Sequence, residues 1–121
     1  MILEIDFNSD EAFYIQVRNQ IIMSIATNKL HEGDELPSVR AMADDLGINM
    51  HTVNKAYSLL RQEGFLQMDR RSGAVVSIDI DHLEALEEVK EGLKVALACA
   101  SCKGVSADEI HEMVDEIYGE Y

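Results

Sequence analysis

Arg40 is well suited to hold a charged or planar acceptor. Its guanidinium is a flat fork of donors matching a phosphate or the O6 and N7 edge of guanine, and a good bidentate base contact gives about 1–3 kcal/mol of discrimination. The plainer alternative is an ion pair with Asp44, one helical turn on. Downstream, Asn49, His51, Thr52, Asn54 and Lys55 crowd into a short stretch. Asn54 can hydrogen-bond adenine through both ends of its amide, and Lys55 can bring a charge to a phosphate; for either alone, a solvated helix face is the ordinary reading. Thr52 and Asn49 can donate to phosphates, or Asn49 can cap a helix. His51, uncharged on average at neutral pH, can touch a phosphate when protonated. Arg70 and Arg71 stand together in DRRSG, where nothing about a tight turn demands two adjacent guanidiniums.

Other reactive groups carry less. Cys99 and Cys102 have the spacing of a redox or metal motif and share a helix face. They form one CxxC with no second pair and no neighbouring histidine, so they read first as small core or interface residues. The rival is a metal- or thiol-responsive switch at Cys99 and Cys102. His111-Glu112 begins an HExxH pattern, but position 115 is Asp, which leaves an exposed helix face. Paired acids such as Glu87-Glu88 and Asp115-Glu116 read as solvated charge. There is no Gly-rich phosphate loop and no nucleophile motif, so neither an enzyme nor a bound cofactor is expected.

The elements that must hold these groups follow from periodicity. From Ser9 to Lys29, Phe13 or Tyr14, Val17, Ile21, Ile22, Ile25 and Ala26 recur at three- and four-residue steps, which predicts an amphipathic helix capped by Ser9 or Asp10. In HEGDELP, Gly33 and Asp34 make a turn and Pro37 sets the entrance of the next element. Ser38 then begins a short helix that turns Leu36, Val39, Met42, Ala43 and Leu46 inward and stops at Gly47. Asn49 opens another, where Val53, Ala56, Tyr57 and Leu60 repeat until Gly64 and the opposite face carries His51, Thr52, Asn54, Lys55 and Ser58. Beyond Gly64 the period drops to two: Phe65, Leu66 and Met68, the turn DRRSG, then Ala74 to Ile78, a β-hairpin. The order is that of a winged helix-turn-helix over residues 1–78, in a chain mainly α with a small β-hairpin.

Residues 79–121 return to helix. Leu83, Leu86, Val89, Leu93, Ala96, Leu97 and Ala100 make a wide stripe. Lys103-Gly104 is a stop, and Ser106 with Glu109 has the form of a capping box before Ile110, Met113, Val114 and Ile117. Two antiparallel helices with this much apolar surface need a cover. They could fold back on the first domain or pair with a second copy, and pairing into a homodimer is the preferred expectation, since DNA readers of this shape usually work as two-fold dimers.

Length and charge bound the rest. The chain has 121 residues, 47 % hydrophobic, with one proline, which suits a folded, helix-rich protein of one domain plus an appendage. An acidic N-terminal stretch and the lack of a long apolar run predict no export signal and no membrane span, hence a cytoplasmic protein. The net charge of −13 argues at first against nucleic acid. Its distribution is uneven: residues 79–121 hold twelve acids and three bases, while residues 38–75 hold five bases and four acids. Exposed charges screen over about 8 Å at physiological salt, so a locally positive face is compatible with the total.

Taken together, Gly33 to Arg40 (GDELPSVR), Ala43, Leu46-Gly47, Thr52-Val53, Ala56-Tyr57, Leu60, Glu63-Gly64 and Gly73 resemble the DNA-binding domain of the GntR family of bacterial transcription regulators. With the first helix the resemblance covers about residues 10–78. The short two-helix tail resembles the YtrA-type subgroup, which implies a homodimeric regulator, most often a repressor, on a palindromic operator, with transporter operons as frequent targets. By position, the resemblance puts Arg40 at a phosphate or base edge from the second helix, and Asn49, His51, Thr52 and Asn54 at the major groove from the third; Ser38, Met50 and Lys55 complete the expected DNA-binding set. Gly73 with Arg70 and Arg71 forms the wing over the minor groove. Met50 stands where many relatives carry a basic or small polar residue, and Asn54 where relatives often carry Arg or Lys. The implied partners are double-stranded DNA, a second copy of the chain and an unidentified small-molecule effector, the last at the dimer interface or between tail and head. The alternatives are the metal or thiol sensor and a winged helix that binds protein through residues 49–58.

Overall fold

The computed structural model describes residues 2–121, which divide into two compact units, one ending at Asp79 and one spanning Ile80–Tyr121. The first contains α1 (Phe13–Ala26), α2 (Val39–Leu46), α3 (Met50–Gln62), β1 (Leu66–Asp69) and β2 (Gly73–Val76); the second contains α4 (His82–Cys102) and α5 (Ala107–Tyr118). The expected class, mainly α with a small hairpin, is the one observed.

Helix α3 sits at the centre of the first unit, packed against α1, α2 and β1. It presents Val53, Ala56, Tyr57 and Leu60 to a core completed by Val17 and Ile21 of α1, Met42 and Ala43 of α2, and Leu66, Ala74 and Val76 of the hairpin. The Tyr57 hydroxyl ends its burial by donating to the Pro37 carbonyl at 2.8 Å. A phenol buried this way is costly to ionise, and its pKa is pushed up to about 12.

Helix α1 covers the apolar stripe from Phe13 to Ala26 but not the flanks out to Ser9 and Lys29, and neither Ser9 nor Asp10 caps it. It begins after Ala12 with no side-chain cap, while the Ser9 hydroxyl accepts from the Glu11 amide outside the helix. It ends at Ala26 because Asn28 adopts a left-handed φ of 63°, which turns the Lys29 and Leu30 amides back onto the Ser24 carbonyl at 2.8 and 3.0 Å. The residues before α1 lie along it: Gln20 bonds the Glu4 amide and carbonyl, and Gln16 bonds those of Asp6.

Capping followed the sequence more closely at later helices. Ser38 Oγ accepts from the Ala41 amide at the start of α2, and Gly47, at φ 70°, closes that helix. Between β1 and β2 the Asp69 carboxylate accepts from the amides of Arg71 and Ser72 at 2.7 and 3.2 Å, and Gly73 follows at φ 75°. The segment read as a simple turn also forms an isolated bridge to the hairpin. Glu35 bridges Val75, the Asp34 carbonyl accepts from Val76 at 2.9 Å, and the Leu36 amide donates to Ala74 at 2.8 Å. Thus β2 is bonded on both sides.

In the second unit Asp81 caps α4, and Ser106 and Glu109 form both halves of the expected capping box. Both helices expected from the sequence are present, and α4 and α5 make no extended contact with each other. Neither contains a buried residue, and partial burial is confined to Ala100, Val105 and Ile110 around the bend.

Candidate nucleic-acid interface

The first turn of α3 is built by its own cap. Asn49 Oδ1 accepts from the His51 amide at 2.7 Å, which engages one lone pair of that oxygen and leaves the NH2 to donate. Of the two readings of Asn49 the cap is the one observed, and its NH2 group makes no hydrogen bond among the described residues. Met50, His51, Asn54 and Lys55 follow as exposed residues, and Thr52 is half-buried. Asn54 makes no hydrogen bond among the described residues, so its amide is free at both ends.

Arg40 is exposed on α2, and among the described residues it forms no ion pair, with Asp44 or otherwise. Ser38, also exposed, has its oxygen engaged as the α2 cap while its hydroxyl proton remains available. Arg70 and Arg71 are exposed at the hairpin tip, in a turn fixed by Asp69 through backbone amides, so neither guanidinium is used to make the turn.

Several contacts of this face escaped sequence reasoning. Lys55 Nζ lies 4.0 Å from the centroid of the Tyr14 ring, a cation–π contact that fixes the amine beside α1. Arg18 of α1 clasps the Glu63 carboxylate at the end of α3 with two bonds of 2.9 and 2.8 Å, and that hydrogen-bonded partner raises the guanidinium pKa further. Val39, assigned only to the core, is half-buried and lines an open recess of about 540 Å³ with Asn49, Met50, His51 and Asn54. Each of these joins residues distant in sequence or on different helices, so no local spacing announces them.

The remaining candidates lie in the second unit. Leu86, Val89, Leu93, Ala96 and Leu97 of α4 and Met113, Val114 and Ile117 of α5 are exposed, while Ala100 and Ile110 are half-buried. Cys99 and Cys102 are free thiols, both exposed, so neither is a core residue. Among the described residues, no cluster of three or more His, Cys, Asp or Glu is placed to hold a metal ion. No helix is long and apolar enough to cross a membrane.

Residues 13–76, the span from α1 through β2 that carries this face, match the family described as bacterial regulatory proteins, gntR family. The chain belongs to the GntR family. It is 31 % identical to the HTH-type transcriptional repressor YtrA of Bacillus subtilis strain 168, over 95 % of this chain and 91 % of that protein. Among solved structures it is similar to a transcriptional antiterminator from Listeria monocytogenes EGD-e, with TM-score 0.85, 28 % identity, and coverage of 97 % and 90 % of the two chains. It is also similar to YtrA from Sulfolobus acidocaldarius, a GntR-family transcription factor, with TM-score 0.64, 39 % identity, and coverage of 77 % and 98 %. This GntR member is accordingly a DNA-binding transcription regulator with a winged helix, in a family of regulators and not of enzymes.

Proposed function

We propose that this regulator is a cytoplasmic homodimeric repressor that occludes a palindromic operator, with a transporter operon as the target class. The single observation that carries the reading is the bare polar side of α3: its capped first turn, free Asn54 amide and Arg40 neighbour are exposed on one unit with the Arg70-Arg71 hairpin. Arg40 and Ser38 serve as phosphate or base contacts from α2. Asn49, Met50, His51, Thr52, Asn54 and Lys55 enter the major groove with α3, and Arg70, Arg71 and Gly73 follow the minor groove.

Dimerisation falls to the tail, since Leu86, Val89, Leu93, Ala96, Leu97 and Ala100 of α4 with Ile110, Met113, Val114 and Ile117 of α5 form apolar faces without a core of their own. Such uncovered surface is what a second copy buries. Two α3 helices then sit in successive major grooves, about 34–36 Å apart or a multiple of that. Selecting bound duplexes from a random pool tests the reading. An inverted repeat with that spacing is expected; an unrepeated site, or no selected site at low salt, overturns it.

A further inference from the structure

The recess between α2 and the start of α3 is unusual for a surface meant to meet a polyanion, because its walls include two apolar side chains and no Lys or Arg. Val39, Asn49, Met50, His51 and Asn54 line it, and Met50 is 43 % exposed at its mouth. Met50 and Asn54 are one helical turn apart, so they share a face. Resting on the DNA reading above and deepening it, we propose that this recess selects an A·T pair: Asn54 bonds the adenine edge while Met50 and Val39 hold the C5-methyl of the paired thymine.

The chemistry of the major groove favours this occupant. An A·T pair presents the adenine N7 acceptor and N6 donor beside the thymine O4 and methyl, whereas a G·C pair presents two guanine acceptors and no methyl. A free primary amide matches N6 and N7 together, and Asn54 has both ends free. Asn49 is the poorer match, because its oxygen is already held by the His51 amide as the helix cap and is not free to turn toward N6. The guanine fork calls for Arg or Lys, and neither lines the recess. His51 carries no paired donor and acceptor on one edge to match N6 and N7 together. The methyl is left as the group that Met50 and Val39 can bury, and burying one methyl is worth about fourfold in affinity.

Deoxyuridine tests this, since it keeps the base pair of thymidine and lacks only that methyl. Duplexes carrying the selected half-site are made with each thymine replaced in turn, and binding of the full chain is followed by fluorescence anisotropy. The expected result is a loss of about three- to fivefold at one position per half-site, shrinking to under about twofold in Met50→Ser. Arg40→Ala should weaken binding to both duplexes and keep their ratio. The Met50→Ser melting curve, matched to the parent, certifies the fold. Indifference to every uracil, or a uracil penalty that survives Met50→Ser, overturns the inference while leaving the DNA reading intact. Failure to select any duplex overturns both.

Discussion

Arg40, Arg70 and Arg71 are exposed and do not hold the fold together, so their removal should be felt by DNA and not by stability. Each lost phosphate contact flattens the dependence of log affinity on log salt by about 0.9. Arg70→Ala with Arg71→Ala is therefore expected to reduce the slope by about one to two, read from a salt titration of operator binding, with the urea midpoint unchanged. Tyr57 gives the opposite kind of prediction. Its folded pKa of about 12 lies above the ordinary value of 10.0, so the stability it contributes is full below pH 10 and drains as pH rises through 12. Urea unfolding at several alkaline pH values should show that loss in the parent and a flatter profile in Tyr57→Phe. The residue scale was also where the sequence was most legible when partners are neighbours. Ser38, Asn49 and Ser106 cap helices within three residues of themselves, and such contacts follow from spacing. Lys55 with Tyr14 and Arg18 with Glu63 meet across the fold, where spacing carries no information.

At the scale of elements, α3 does two jobs with two faces, and the core face should dominate stability. Leu60 is fully buried, so Leu60→Ala is expected to cost about 2–5 kcal/mol in denaturant unfolding. The helical period exposed that face because burial there is one-sided. Helix α1 was harder to bound. Thr27 to Lys29 carry no strong stop signal, but Asn28 turns the backbone, and Leu30 joins the core from beyond the helix. The bridge to β2 was hidden for a related reason: Gly33 to Leu36 has turn chemistry, and only its apposition to β2 gives it strand-like hydrogen bonds. Of the interface, the polar face of α3 and the paired arginines were legible as residue types. The recess was not, since Val39 reads as an ordinary inward position of α2 and only the adjoining helix gives it a second use.

At the scale of the whole molecule, charge and apolar surface are sorted along the chain. Residues 79–121 hold twelve of the 23 acids and only three of the ten bases, so the excess negative charge is concentrated outside the segment that carries the arginines. On the proposed dimer, Leu93 lies mid-stripe on α4, 45 % exposed in the single chain. Leu93→Glu places charge on a face that pairing would bury, and sedimentation equilibrium should show association weakened by at least about tenfold. Operator affinity should fall with it, while the first unit keeps its melting transition. An unchanged association constant would remove the tail from the dimer interface.

The double bonding of β2 reaches beyond recognition. A free hairpin offers open strand edges on which other chains can stack, a known start of fibril growth. Here β1 fills one flank of β2 and the Gly33–Leu36 segment fills the other, the latter stopped by Pro37, which has no amide to donate. The outward edge that remains on β1 is four residues long and ends in a carboxylate followed by two guanidiniums. A ribbon held out to solvent is thereby a poor template for self-templated aggregation.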